Sequence, residues 1–413
     1  MTETIHGRLP CGIEYGVTPL RDRHIVSFQL MVLAGTCSEP ESRLGLARIL
    51  GETIDKGSER RTGRELSDAF DALGAGQRIG AGRETTTMSC TVLPEHFEKA
   101  AALCAEILRT PRFPADFVDV NIELARQELL ALEDDAQALL DKIMAPKAFG
   151  PVLGRHSLGE KQTLDAITRD DLVSHWRATF SAGRMIMAVA GAVDPQRVAD
   201  VFEGLFAGFG DSRQTGREPF TVGFEPGITH VAKELEQEQI GICWPGVGVT
   251  HADYPTQQIV LGILSGGMGA RLFTEVREKQ GLVYWVSGWQ DAPRGRGMIF
   301  LGASTTPERC DKTYTTLLRE VERLSDDIEE EELQRAIIGI VANSETRGDT
   351  TRAFCGEVAN DLFHYGRPIP REEKLARIKA VTVADVKRYL GTYPREPRCV
   401  VTLGPRPLGQ AGA

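Results

Sequence analysis

The sequence has no Cys-x-x-Cys pair, no two histidines one helical turn apart, no long apolar run and no surplus of basic residues. Each absence removes a class of function. The eight cysteines, Cys11, Cys37, Cys90, Cys104, Cys243, Cys310, Cys355 and Cys399, are scattered singly along 413 residues. That is the usage of a reducing compartment, where thiols serve as small buried hydrophobes rather than as a disulfide framework. The formal charge is −10, with 48 Lys and Arg against 58 Asp and Glu. Nucleic acid is therefore not the expected partner, since phosphate binding needs clustered cations. No stretch approaches the length that spans a bilayer, so no membrane partner is expected. Met1 to Gly7 shows neither the basic start nor the apolar run of a signal peptide, and the cytoplasm is the expected location.

What is present reads as an ordinary globular protein, 41% hydrophobic and 26% charged, too long for a single core. An internal repeat organises it. Thr168, Asp171 and Arg184 recur as Thr382, Asp385 and Arg398, each 214 positions on. In both copies a threonine N-cap opens a helix that leads into an apolar strand, which predicts a duplicated helix–strand unit. Gly208 to Pro219 is polar and rich in turn residues. The expected division is 1–212 and 227–413, with 213–226 as linker. In the first half Ile25 to Leu33 and Thr85 to Leu93 read as strands. Leu44 to Lys56, Gly63 to Leu73, Phe97 to Leu108, Ala115 to Leu132 and Leu139 to Phe149 read as helices. Hairpin-like pairs followed by runs of helices predict an α+β fold: two homologous α/β sandwich halves, each a mostly antiparallel sheet packed with helices.

The run Gly45 to Glu52 is spaced like the helix of the inverted zinc motif H-x-x-E-H, in which two histidines hold the metal and the glutamate activates water. All three reactive positions are replaced, by Arg48, Gly51 and Glu52. A guanidinium does not release its proton to a metal, and glycine offers no base. Around this run stand Ala34-Gly35-Thr36 with Glu39, then Lys56-Gly57-Ser58. Further on come Arg83 to Thr86, Ala105 to Phe113 and the turn Arg155 to Gly159. The second half carries Leu264 to Phe273 and Arg277 to Tyr284. In this order and spacing the chain resembles the pitrilysin/insulinase family of zinc metallopeptidases, especially the two-domain chains of mitochondrial-processing-peptidase type, over nearly its whole length.

The resemblance implies a clamshell of paired sandwich halves. It places the family's third zinc ligand at Glu128, and here Arg48 is expected to bridge Glu52 and Glu128 in place of the metal. No zinc site is expected in this chain. Arg277 and Tyr284 match an arginine–tyrosine pair that assists catalysis in the family by donating hydrogen bonds to a carbonyl oxygen gaining charge. Near Gln77 and Arg78 the family has an edge strand that pairs with substrate backbone, and both side chains depart from its pattern. The glycines Gly266, Gly267 and Gly269 are read as structural. The implied function is a non-catalytic subunit whose Arg277 and Tyr284 assist a homologous, zinc-bearing H-x-x-E-H partner in cleaving unfolded peptides. The alternatives are a proteolytically inactive scaffold and a homodimeric peptide-binding protein of the same fold.

Overall fold

A computed structural model describes residues 3–218, 220, 222–347 and 350–409. The chain forms two compact units. The first comprises Met1–Ala131, Arg155–Glu218 and Arg347–Ile369. Its sheet contains β1 (Ile5–Arg8), β2 (Glu14–Pro19), β3 (Val26–Val32), β4 (Gly76–Ala81), β5 (Thr86–Val92) and β6 (Met185–Gly191), in the order β1-β2-β6-β3-β5-β4. The second comprises Leu132–Gly154, Pro219–Thr346 and Pro370–Ala413. Its sheet orders β7 (Gly227–Ala232), β8 (Glu238–Gly246), β9 (Val283–Asp291), β10 (Gly297–Thr305) and β11 (Cys399–Gly404) as β7-β11-β8-β10-β9.

With β1 set aside, the two sheets have one topology. The β2–β6 and β7–β11 pairs are parallel, and the pairs that follow are antiparallel in both units. The local signal repeats too. Thr168 and Thr382 each cap a helix and accept a bond from the N–H of Asp171 or Asp385, whose carboxylate bonds back to the threonine N–H. Such a cap contributes about 1 kcal/mol. The strands reached from these helices, β6 and β11, are buried at every position, as inner strands with a layer on each face must be. The mixed fold with two mostly antiparallel sheets matches the expectation. β4 and β9 are the outer strands at corresponding ends of the two sheets.

The linear division at 212 and 227 is corrected by the structure. Helix α1 (Leu46–Thr53), α2 (Gly63–Asp71), α3 (Phe97–Arg109) and α4 (Ala115–Ala131) belong to the first unit, but α5 (Ala136–Leu153) packs on β8 and β11 of the second. Gly241 of β8 lies directly beneath Leu140 and Met144, where a Cβ would collide with both. The helix Thr351–Tyr365 in turn covers the first sheet, setting Val358, Leu362 and Phe363 against Met31, Ile186 and Ala188. An apolar helix face must be buried, but its periodicity does not say against which sheet. A single cut at 213–226 therefore does not separate the units; of that segment, residues 219 and 221 lie outside the described residues.

Candidate functional site

In the first unit, α1 turns Leu46, Ala47, Ile49, Leu50 and Thr53 inward. Its N-terminus is fixed by Glu39, whose buried carboxylate accepts the N–H of Gly45 at 3.2 Å and of Ala47 at 2.7 Å. Arg155 donates to the carbonyl oxygens of Thr36 and Glu39, holding the same turn from outside. Burial pushes the Glu39 carboxyl up to about 7, against the opposing pull of the two amides and of Arg155.

Arg48 and Glu52 lie one turn apart on the outward face of α1. Arg48 Nη2 donates to Glu128 Oε1 of α4 at 2.7 Å. Glu52 is exposed and has no hydrogen bond or ion pair among the described residues. The expected three-way bridge is thus a pair: the guanidinium is committed to α4, and the Glu52 carboxylate is left to water. Gly51 is buried against β4, where a Cβ would sit 3.2 Å from the Ala81 amide nitrogen. That contact is tight, so a side chain there would need the strand to give by a few tenths of an ångström. These residues do not fit zinc. They offer two carboxylates, one already engaged by a cation, and no imidazole or thiolate.

β4 pairs with β5 on one side and is the outermost strand on the other. Gln77 Nε2 donates to Asp55 Oδ2 at 3.1 Å, while its buried Oε1 has no partner, and Arg78 is exposed. Beside this edge lies a cavity of about 990 Å³, lined among others by Asp55, Lys56, Arg64, Gln77, Phe113 and Arg169.

In the second unit Arg277 and Tyr284, seven residues apart, are brought together by a tight reversal. Arg277 sits in a π-helical segment, Leu272–Glu278, and the chain then turns at Gly281, φ 58°. A glycine there is required, because the left-handed conformation strains any side chain. Tyr284 follows as the second residue of β9. The guanidinium carbon lies 5.5 Å from the Tyr284 ring centroid and 4.9 Å from that of Phe273, a cation–π arrangement on two rings. Tyr284 is 79% exposed. Arg277 is exposed too, and neither side chain makes a hydrogen bond or an ion pair among the described residues. The stack orients the guanidinium and leaves both groups free to donate.

A residue that sequence reasoning passed over anchors this segment. Arg271 is buried, donating to both carboxylate oxygens of Glu332 at 2.7 and 2.6 Å and to Asp327 Oδ1 at 2.6 Å. Its burial is tolerable only because both acceptors are charged. The signal was a lone arginine inside the small and apolar run Gly269 to Phe273. The glycines before it act as a turn: Gly266 packs on the backbone of Gly262, and Gly267 adopts φ 150°. Among the described residues no cluster of three or more His, Cys, Asp or Glu could hold a metal, and no helix is long and apolar enough to cross a membrane.

The chain is similar to known proteins of one peptidase family. Residues 18–160 match the family model described as "Insulinase (Peptidase family M16)" and residues 166–340 that described as "Peptidase M16 inactive domain". An uncharacterized zinc protease of Rickettsia bellii is 25% identical over 364 residues, covering 87% of this chain and 88% of that one. A probable mitochondrial-processing peptidase subunit beta of Arabidopsis thaliana is 24% identical over 410 residues, 95% of this chain and 76% of its own. Among solved structures, a peptidase M16 inactive domain from Pseudomonas fluorescens superposes with a TM-score of 0.87 at 21% identity, covering 98% of this chain and 99% of that one. A protease from Helicobacter pylori gives 0.89 at 16% identity, covering 98% and 100%.

Proposed function

This chain belongs to peptidase family M16, the insulinase family, and we propose that within it the chain serves as a non-catalytic subunit. In this reading a homologous H-x-x-E-H chain holds zinc, which supplies the activated water and the polarised carbonyl. Arg277 and Tyr284 of this chain donate hydrogen bonds to the peptide oxygen as it gains negative charge, each donor contributing most when preoriented. The observation that carries the reading is an asymmetry. The first unit has no imidazole at positions 48 and 52 and no base at 51, whereas the second presents Arg277 and Tyr284 stacked, exposed and unpaired. An exposed arginine held on two rings without a carboxylate keeps its donors oriented and available to a ligand.

A scaffold role is the second reading, favoured by one feature: the Arg48–Glu128 pair and the Gly51–Ala81 contact leave the first unit closed without any ligand. Co-expression with an H-x-x-E-H homologue, purification through a tag on this chain and assay on an unstructured fluorogenic peptide separates the two. The proposal expects zinc-dependent cleavage that co-purifies with this chain and is absent from either chain alone. An inert complex, or full activity of the partner by itself, overturns it and leaves the scaffold.

A further inference from the structure

Cys243 and Cys399 are far apart in sequence but are paired residues across the antiparallel β8–β11 ladder. Facing Cα atoms in such a ladder lie about 4.5–5.5 Å apart, inside the range that a disulfide spans. Both side chains are buried, and the thiols are hydrogen-bonded to each other. They lie on the sheet face covered by α5, the face on which Gly241, two residues before Cys243, meets Met144.

Two cations act on the pair: Lys147 of α5 on Cys399, and Arg296, the residue immediately before β10, on Cys243. Arg296 is stacked at 5.8 Å on the ring of Phe224, yet its buried Nε has no hydrogen-bond partner. The segment holding Phe224 is pinned across α5 by Gly223 N–H to Phe149 O and Glu225 N–H to Lys147 O. Lys147 is further paired with Glu225 at 2.6 Å. A half-buried cation with an unused donor beside two touching thiols is poorly explained by packing, because it is desolvated without full compensation. It is well explained if one sulfur carries negative charge for part of its working life.

We propose that Cys243 and Cys399 form a redox-active dithiol that a small peroxide converts to a cross-strand disulfide. Cys399 is the nucleophile: it accepts the bond from the Cys243 thiol and has the Lys147 ammonium acting on it, both of which favour its thiolate against burial and Glu225, while Cys243 is the donor. The Cys399 thiolate attacks one peroxide oxygen, the O–O bond breaks, and the departing hydroxide takes a proton to leave as water. The sulfenic acid on Cys399 is then attacked by the Cys243 sulfur. The S–S bond forms, the S–O bond breaks, and the hydroxide leaves with the Cys243 proton as a second water. Two thiols are oxidised and one peroxide is reduced. This inference does not depend on the subunit role proposed above.

The test exposes the folded full-length chain to hydrogen peroxide, blocks remaining thiols after unfolding and maps the peptides by mass spectrometry. Met268, 76% exposed, reports delivery of the oxidant through its sulfoxide. The expected product has lost two hydrogens, links the Cys243 and Cys399 peptides and returns to the dithiol on reduction. In Cys243→Ser, a dimedone adduct should accumulate on Cys399; in Cys399→Ser, none should form on Cys243. Full alkylation of both cysteines in protein whose Met268 is oxidised overturns the proposal, as does a linkage that forms only after unfolding. Should either variant fail to fold, mapping of the unaltered chain still decides.

Discussion

The two units share strand order, strand sense and helix caps, yet they finish the ends beside their outer strands in opposite ways. In the first, α1 closes on β4 through Gly51, and Arg48 is spent on Glu128. In the second, the turn before β9 holds Arg277 and Tyr284 open to solvent, and Arg271 locks that turn from below with two carboxylates. A duplicated fold can thus keep its core in both copies while the groups presented beside the outer strands diverge. Core strands such as β6 and β11 are constrained by burial on both faces. The outward face of α1 is constrained by almost nothing once no ligand is held there.

If only side chains separate the first unit from a metal site, supplying them should restore binding. The Arg48→His/Glu52→His variant places two imidazoles one turn apart beside Glu128, a two-histidine, one-glutamate set. It is expected to bind about one zinc ion with micromolar or tighter affinity, some 8 kcal/mol, where the unaltered chain binds none in isothermal titration. Hydrolysis should stay absent, because Gly51 still offers no base. Failure to bind would show that the helices themselves have moved.

The second unit should be the more fragile at its anchor. Arg271→Ala leaves Glu332 and Asp327 without their cation and should cost about 3–5 kcal/mol, read as a lower urea midpoint. The first unit has its own sensitive point at Glu39. Because burial raises its folded pKa from 4.5 to about 7, its contribution to stability is complete below the lower value and is lost as pH rises toward the higher one. His175, lowered from 6.5 to about 4 by burial and then by Arg184, acts in the opposite sense: its contribution is complete above 6.5 and is lost as pH falls toward 4. Glu39→Gln removes only the first effect, so its stability relative to the unaltered chain should increase from pH 4.5 to 7. A flat difference across that window would mean that Glu39 does not hold the start of α1 as a buried, hard-to-ionise acid. The smallest effect belongs to Arg48→Ala. The pair with Glu128 is half-exposed, and breaking it should cost about 0.2–1 kcal/mol in the same unfolding assay.

Much of this was legible in the sequence, for reasons that also explain the rest. The Thr-to-Asp boxes at 168 and 382 are local and follow from a spacing of three. The replaced positions 48, 51 and 52 follow from a spacing on one helix. Strand β5 alternates, β6 is apolar throughout and β11 is so but for Thr402, so both periods can be read directly. What was hidden depends on pairing between distant segments. The exchange of α5 and of the helix Thr351–Tyr365 between sheets leaves no local trace. The register that sets Cys399 opposite Cys243 is fixed by the whole sheet. Arg48 was expected to reach two carboxylates and reaches one, because spacing gives proximity but not the choice between a partner on the same helix and one on its neighbour.

The central claim is that the second unit, not the first, acts on a partner's substrate. It is tested most directly by comparing peptide cleavage by the two-chain complex carrying Arg277→Ala or Tyr284→Phe with cleavage by the complex carrying Arg48→Ala. Loss of a donor that acts at the developing oxyanion should lower kcat by about 10²–10³, whereas the first-unit change should leave it within about twofold. Equal rates in all three complexes would contradict the claim and return both units to a purely structural role.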